Sequence, residues 1–239
     1  FEQPLQIKPI VAYGTSICQG ACASRPAMAW TNILQRRLGR PVINLGFSGN
    51  AMHETPMMDL LADTDAAVYI LDGMPNSYTI PSPALQDTLV KAVRQLRIKR
   101  PDTPIVLADH CGYPQGTAYK EWNNKQKHAW NSLEEVYQQL LSEGVKELYR
   151  VRYDDFGFTG EMFVEGHHLS DYGMTVYADA YEQVLRKILN EPKGDLSTTI
   201  PVMQQRDGYN WMDRHNYILK ISAGKHYKRI VIGDSIIHF

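Results

Sequence analysis

The chain has 239 residues, of which 44% are hydrophobic and 21% are charged, and its formal net charge is −1. These values are typical of globular proteins and exclude collagen-like and disordered chains. The balanced charge predicts no nucleic-acid partner. The longest apolar runs fall well short of the roughly 18 residues that a membrane span requires, so we expect no membrane span.

Short apolar runs alternate with stretches of helical periodicity along the first 190 residues. The runs predict five strands, at residues 10–13, 42–45, 67–71, 105–108 and 148–151, of which the first reads as buried. The periodic stretches predict helices at residues 27–38, 56–61, 85–96, 129–141 and 174–188. Continuous apolar strands separated by helices indicate an α/β fold whose parallel sheet is covered on both faces. Such folds bind ligands at the carboxyl ends of their strands.

The last predicted helix ends at a break over residues 191–194, where Pro and Gly occur. We therefore expect one domain over residues 1–191, and a linker with the start of a second unit over residues 192–239. Within the second unit, residues 229–236 repeat the pattern of residues 10–17, a strand that runs into Gly, Thr or Asp, Ser and Ile. We also expect a short helix at residues 211–219.

The predicted strand at residues 229–232 lacks a sheet of its own. An unpaired strand exposes backbone hydrogen-bonding groups along its edges. We therefore expect this strand to pair with another part of the chain or with a neighbouring copy, which would give strand-mediated self-association.

A serine, a histidine and a carboxylate occur near the predicted strand ends. Ser16 follows the first strand on a Gly-x-Ser turn, and a serine hydroxyl becomes a nucleophile when a base takes its proton. Glu165 and His168 lie three residues apart, so a turn can point both the same way, as orienting carboxylate and base. His167 is a competing candidate for the base. Taken alone, Ser16 could instead be a helix N-cap.

Two loops that follow the second and third strands contain candidate hydrogen-bond donors. Gly49 can bring its backbone N–H close to a substrate because it has no side chain. Asn76 offers a side-chain amide, although both residues are also common in simple turns. Together with the N–H of Ser16, these groups would form an oxyanion hole with three donors.

These four blocks, in this order, resemble those of the SGNH (GDSL) hydrolases. The resemblance covers about residues 8–190, and residues 13–17, 44–49 and 71–76 are similar to a bacterial subgroup of esterases and acetylhydrolases. It implies a three-layer α/β/α, flavodoxin-like fold with a central parallel sheet of five strands. It also implies ester hydrolysis through an acyl-serine, without a metal or other cofactor, in which Ser16, His168 and Glu165 are catalytic and Ser16, Gly49 and Asn76 form the oxyanion hole.

The sequence departs from the family pattern at three places. Thr15 replaces the usual Asp of the first block, and Asn76 follows its glycine one residue later than is common. Glu165 replaces the usual Asp beside the histidine, so its geometry must differ or its role passes to a backbone carbonyl. Residues 201–239 resemble the opening of another module of the same family, in which Ser235 lacks the later blocks and is expected to be inert.

The resemblance favours small acyl esters as substrates, with acetyl esters on carbohydrate as the first choice. A lipid or phospholipid esterase is the alternative within the enzymes, and a catalytically weak glycan-binding module is the alternative outside them. The chain begins at Phe1 instead of Met, so we expect a trimmed N-terminus and favour a secreted or periplasmic location.

Several other residues are of types that occur in active sites, but the sequence offers no further residue to complete a site with them. Cys18 and Cys22 have no neighbouring Cys or His to complete a zinc site, so we expect small buried thiols and no metal. Three other histidines have no carboxylate or serine at a matching spacing in the sequence, so we expect no catalytic role for them; these are His53, His110 and His128. For the aromatic residues after the fourth strand we prefer packing to substrate contact; these are Tyr113, Tyr119 and Trp122.

Overall fold

The computed structural model describes residues 7–193 and 211–224. The chain divides into two compact units, Phe1–Lys193 and Gly194–Phe239. The described part of the second unit contains a helix at Trp211–Ser222, where the sequence predicts one. The predicted strand at residues 229–232, the repeat at residues 229–236 and Ser235 lie outside the described residues.

A parallel sheet of five strands forms the centre of the first unit, which confirms the predicted fold class. The strands are β1 (Ile10–Gly14), β2 (Val42–Gly46), β3 (Val68–Asp72), β4 (Ile105–Ala108) and β5 (Leu148–Val151). They are arranged in the order β2-β1-β3-β4-β5, and every neighbouring pair is parallel. The register places Gly14 beside Gly46 and Asp72, so the ends of three strands are level and their following loops meet.

Helices cover both faces of this sheet. They are α1 (Ser16–Gln19), α2 (Trp30–Leu38), α3 (Thr55–Asp63), α4 (Met74–Ser77), α5 (Ser82–Lys99), α6 (Lys120–Ser142), α7 (Tyr153–Phe156) and α8 (Asp171–Leu189), and the helix of the second unit is α9 (Trp211–Ser222). One apolar core lies between the sheet and helices α3, α5 and α6. A second core lies between the opposite face and helices α2 and α8. Of the described helices, none is both long and apolar enough to cross a membrane.

Alternate residues of β1 supply the two cores, as expected for a strand that is buried on both faces. Val11 and Tyr13 point into the first core, and Ile10 and Ala12 point into the second. In the second core, the rings of Trp30 and Tyr181 stack with centroids 4.5 Å apart. Such aromatic pairs add about 0.5–1.5 kcal/mol to the free energy of unfolding beyond their buried area.

Two of the differences between the predicted and the observed helix bounds have a clear physical reason. The predicted helix at residues 27–38 is interrupted, because Pro26–Met28 forms a 3₁₀ turn and Ala29 has an extended ψ of 135° before α2 begins. Helix α6 begins at Lys120 and not near Ala129. Its first turns are mostly polar, so the apolar periodicity that predicts a helix starts only where the helix packs on the core.

Candidate active site

Ser16 is presented at the end of β1 by a capped turn. Thr15 is the N-cap of α1, and its Oγ1 accepts a hydrogen bond from the Ile17 N–H at 3.3 Å. Ser16 is therefore the first helical residue, and the alternative that it serves as the N-cap is wrong. Its side chain is free for another partner, and the residue is 8% exposed.

Asn44, near the end of β2, ties the neighbouring strand to the serine turn. Its Nδ2 donates hydrogen bonds to the backbone oxygen of Cys18 at 2.7 Å and to Thr31 Oγ1 at 2.8 Å. Its Oδ1 accepts a hydrogen bond from the Gly46 N–H at 2.9 Å. Because the Asn44 side chain links α1, α2 and β2 through hydrogen bonds, it fixes the position of the turn that carries Ser16.

The structure brings Ser16, His168 and Glu165 into one hydrogen-bonded chain. Ser16 Oγ lies 2.7 Å from His168 Nε2, and His168 Nδ1 is hydrogen-bonded to Glu165 Oε1. The backbone N–H of His168 also donates to Glu165 Oε1, at 3.0 Å. A proton on Nδ1, directed at the carboxylate, leaves Nε2 free to accept the serine proton.

His167 occupies a different position from His168. Its Nδ1 lies 3.1 Å from Glu165 Oε2, and its ring packs edge-on against the rings of Tyr113 and Trp122. Glu165 thus contacts both histidines, but it is His168 that contacts the serine hydroxyl. The geometry favours His168 over His167 as the base.

The Glu165 carboxylate is held in its charged form. Partial burial is the largest single influence and raises its pKa, but the hydrogen bonds from His168 and His167 and the charge of His168 together outweigh it. The net pKa of Glu165 lies below its ordinary value, so the group is a carboxylate at neutral pH. A negative charge at this position stabilises a positively charged imidazole beside it.

The loop that carries Glu165 and His168 is fastened at both ends. Phe163 and Leu169 form an antiparallel bridge, and the Val164 N–H donates to the His168 oxygen at 2.9 Å. The following helix α8 is joined to the serine side of the site. There, the N–H and Oγ of Ser24 donate to the carboxylate of Asp171 at 2.8 and 2.5 Å.

Gly49 and Asn76 lie on the wall of the same cavity as Ser16. Gly49 has a φ of +69°, which L residues rarely adopt, and a Cβ built on it would meet no atom within 4 Å. The Asn76 side chain donates one hydrogen bond, from Nδ2 to the Asn50 backbone oxygen at 2.6 Å, and keeps a second N–H. The structure therefore brings all five predicted site residues to one cavity.

This cavity has a volume of about 340 Å³. One side of its wall is aromatic and is formed by Tyr78, Tyr113, His110 and His167; apart from the predicted site residues, the other lining residues are Ile17, Ser48, Pro75 and Cys111. Trp122 packs behind this wall, with its ring centroid 4.7 Å from that of Tyr113, and Lys125 Nζ lies 4.5 Å from the Trp122 centroid. Tyr119, by contrast, is 63% exposed and does not line the cavity.

His110 lines the cavity, although the sequence gives it no predicted role. Its Nδ1 accepts a hydrogen bond from the Gly112 N–H at 2.8 Å, and its backbone oxygen accepts one from Trp130 Nε1. Burial lowers its pKa to about 3, so the ring is neutral and its proton resides on Nε2. The signal that could have found it is its position two residues after strand β4 ends.

His53 and His128 do not line the cavity. Burial lowers the pKa of His53 to about 4. His128 is hydrogen-bonded to Ser82 Oγ at 3.1 Å and to the Ile80 oxygen at 2.7 Å. These positions agree with the sequence, which offers neither His53 nor His128 a catalytic partner.

Cys22 departs from the expectation of a small buried thiol. Cys18 and Cys111 are buried, but Cys22 is exposed and has a φ of +66°. Its Sγ belongs with a Glu165 oxygen and a His168 nitrogen to a group of three ligand atoms that all lie within 4.8 Å of one another. It is the one such group of metal-ligating types within residues 7–193 and 211–224.

The chain is similar to a known family of ester hydrolases and to solved structures that share its fold. The model of the GDSL-like lipase/acylhydrolase family matches residues 7–186. A Bacteroides ovatus protein assigned as a GDSL-like lipase is 37% identical over 79% of this chain, with a TM-score of 0.73. The match covers 55% of that protein, so this chain spans little more than half its length. No curated protein is similar enough to count as a match.

Two other solved structures share the fold at lower identity. A salicylyl-acyltransferase from a tetracycline biosynthetic pathway has a TM-score of 0.70 and 18% identity. The match covers 80% of this chain and 58% of the acyltransferase. A family two carbohydrate esterase from Clostridium thermocellum, in complex with cellohexaose, has a TM-score of 0.64 and 15% identity. That match covers 79% of this chain and 66% of the esterase.

Proposed function

The chain belongs to the GDSL-like lipase/acylhydrolase family of ester hydrolases, and we propose that it hydrolyses small acyl esters, acetyl esters on carbohydrate first, through an acyl-serine. One observation carries the proposal: Ser16 Oγ lies 2.7 Å from His168 Nε2, and Glu165 is hydrogen-bonded to the opposite ring nitrogen. This arrangement meets the geometric requirement for nucleophile, base and orienting carboxylate.

In the proposed reaction Ser16 Oγ attacks the ester carbonyl carbon while its proton moves to His168 Nε2. The carbon–oxygen bond to the alcohol then breaks, and the alcohol leaves with the proton that Nε2 held. A water molecule attacks the acyl-serine, gives a proton to Nε2, and releases the acid; that proton returns to Ser16. Glu165 stabilises the imidazolium in both halves of the cycle.

The negative charge that develops on the carbonyl oxygen needs hydrogen-bond donors. We assign this role to the N–H groups of Ser16 and Gly49 and to the free N–H of the Asn76 amide. The bond from Asn76 to the Asn50 oxygen supports the assignment, because it fixes the amide plane before the substrate arrives. A preorganised donor of this kind contributes about 3 kcal/mol to lowering the barrier.

The preference for short acyl groups rests on the size of the cavity. Its volume of about 340 Å³ lies at the small end of the range for ligand sites, which runs from about 300 to 1,000 Å³. The aromatic wall formed by Tyr78, Tyr113 and the ring of His167 supports a flat, partly polar alcohol such as a sugar. The fold itself admits such ligands, since the Clostridium thermocellum esterase is complexed with cellohexaose.

The experiment compares the turnover of p-nitrophenyl acetate by the wild type and by Ser16→Ala. We expect the substitution to reduce kcat/KM by a factor of about 10³ or more, because it removes the nucleophile. Ser48→Ala is the matched control, since Ser48 also carries a hydroxyl on the cavity wall. We expect it to lose no more than a few-fold.

The same assay separates the alternatives. Faster turnover of acetyl than of octanoyl esters supports the short-acyl proposal, and the reverse order supports a lipid esterase. If the wild type exceeds Ser16→Ala on neither p-nitrophenyl acetate nor acetylated oligosaccharides, the esterase proposal is wrong and a glycan-binding module takes its place.

A further inference from the structure

We propose that Cys22, Glu165 and His168 form a binding site for Zn²⁺, and that zinc bound there inhibits the enzyme reversibly. The ligand atoms of these three side chains already lie within 4.8 Å of one another. They are a thiol sulfur, a carboxylate oxygen and an imidazole nitrogen, which are the three ligand types that proteins use for zinc.

The geometry needs only a small adjustment to accept the ion. A tetrahedral zinc ion with these ligands holds its donor atoms about 3.4–3.6 Å apart. Because no two of the ligand atoms are more than 4.8 Å apart, the contraction needed is at most about 1.2–1.4 Å, and the exposed Cys22 side chain can supply it by rotation. A water molecule would complete the coordination, as in zinc sites with three protein ligands.

The two loops that carry these ligands are joined to each other, so the ligands are held together without the ion. Ser24 lies two residues after Cys22, and Asp171 lies three residues after His168. Both the N–H and the Oγ of Ser24 donate hydrogen bonds to the Asp171 carboxylate, at 2.8 and 2.5 Å. This connection keeps the Cys22 turn against the end of the Glu165–His168 loop, which lowers the cost of assembling the site.

Zinc at this position is incompatible with the proposed catalysis. If the ion takes Nε2 of His168, the ring cannot accept the serine proton; if it takes Nδ1, the bond to Glu165 is lost. In both cases the thiol of Cys22 loses its proton on binding zinc, and the Glu165 carboxylate coordinates the ion, so its charge no longer stabilises the imidazolium. The inhibitory half of this inference therefore rests on the proposed function, whereas the binding half does not.

The binding test uses the full chain and does not need a substrate. Isothermal titration with Zn²⁺ measures affinity, and titration with Cd²⁺ gives a sulfur-to-metal charge-transfer absorption that reports a bound thiolate. We expect one high-affinity site in the wild type, and in Cys22→Ser an affinity at least tenfold lower with no charge-transfer band. Glu161→Gln is the matched control, because Glu161 is an exposed carboxylate of the same segment outside the group; its affinity should equal that of the wild type.

The inhibition test measures ester turnover in the same proteins. We expect Zn²⁺ to inhibit the wild type and Glu161→Gln equally, EDTA to restore turnover, and Mg²⁺, which avoids sulfur ligands, to have no effect. Cys22→Ser should retain its turnover at zinc concentrations that inhibit the wild type. If Cys22→Ser does not fold, alkylation of the exposed thiol in the folded wild type replaces it, and it should remove the Cd²⁺ band.

Equal zinc affinity of the wild type and Cys22→Ser would overturn the proposal, as would a wild type that binds no zinc below millimolar concentration. Zinc binding that depends on Cys22 in a protein without ester turnover would leave the metal site standing and reject the proposed function. The two failures are therefore distinguishable.

Discussion

At the residue scale, the site depends on three side chains from two distant segments of the chain. Ser16 and His168 are 152 positions apart in the sequence, and their contact at 2.7 Å exists because β1 and the loop before α8 end at the same edge of the sheet. The order of the four blocks predicts these residues through a family resemblance. The resemblance already names His168 as the base, and the structure adds the contact with Ser16 that distinguishes it from His167, since both histidines contact Glu165.

The charge of Glu165 is the first feature to test. Glu165→Gln keeps an oxygen that can hold the His168 ring but removes the charge that stabilises the imidazolium. We expect kcat to fall by about 10²–10⁴-fold with little change in KM. Steady-state kinetics on p-nitrophenyl acetate measures this, with Glu161→Gln as the control. Full activity of Glu165→Gln would indicate a Ser-His dyad oriented by another group.

Asn76 allows a second test at this scale. Asn76→Ala removes the proposed oxyanion donor, and we expect kcat to fall by about 10²–10³-fold. Asn50→Ala is a fair control because Asn50 accepts the Asn76 hydrogen bond through its backbone oxygen, which the substitution retains. Comparable losses in the two variants would assign Asn76 a purely structural role.

Cys22 shows what the sequence could not provide. The nearest sequence neighbours of Cys22 offer no ligand, and its partners lie more than 140 positions away. Only the folded chain, with Ser24 bonded to Asp171, brings the thiol to the histidine. Proximity across the ends of parallel strands is a property of topology, which local spacing does not report.

At the scale of elements, the strands were more predictable than the helices. Strands β1, β3 and β4 are short and mainly apolar runs, and the predicted bounds of β4 and β5 agree with the structure. Helix α6 shows the opposite case, because its exposed first turns carry no apolar periodicity. The apolar pattern does not reveal the break at Ala29 either, because the 3₁₀ turn at Pro26–Met28 and helix α2 are read as one continuous helix.

The loop after β2 provides a prediction that separates backbone strain from catalysis. Gly49 and Gly39 both have positive φ, +69° and +58°, and neither has an atom within 4 Å of a built Cβ. Substitution of either by Ala should lower the free energy of unfolding by a similar amount, about 1–2 kcal/mol. Only Gly49→Ala should also lower kcat, by tenfold or more, because the strain would displace the N–H that we propose for the oxyanion hole.

Urea denaturation and steady-state kinetics on the two variants measure both effects. Gly39 is the C-cap of α2 and does not line the cavity, so it reports strain alone. An active Gly49→Ala variant with the expected loss of stability would remove Gly49 from the oxyanion hole.

At the scale of the whole molecule, the stability should depend on pH through Asp72 at the end of β3. Burial raises the pKa of Asp72 from 3.8 to about 8, and Tyr177 donates a hydrogen bond to its Oδ1 at 2.8 Å. Between these pH values the folded protein keeps the proton and the unfolded chain releases it. The free energy of unfolding therefore decreases as the pH rises from about 4 to 8, by up to about 1.4 kcal/mol per pH unit from this group.

Asp72→Asn removes this titration while keeping an oxygen for Tyr177. We expect the variant to be more stable than the wild type at pH 7.5 and to show a flatter dependence between pH 5 and 7.5, measured by urea denaturation. Asp87→Asn, at an exposed position on α5, should behave as the wild type. A less stable Asp72→Asn with an unchanged slope would show that the buried carboxyl is not protonated.

The most direct test of Ser16 as the nucleophile is to measure the mass of the acyl-enzyme trapped during turnover. Acid quenching of the wild type with p-nitrophenyl acetate, followed by digestion and mass spectrometry, should find one acetyl group on the peptide that contains Ser16, and none on that peptide from Ser16→Ala. Acetyl groups on another residue, or ester turnover by Ser16→Ala at the wild-type rate, would contradict the central claim that Ser16 is the nucleophile.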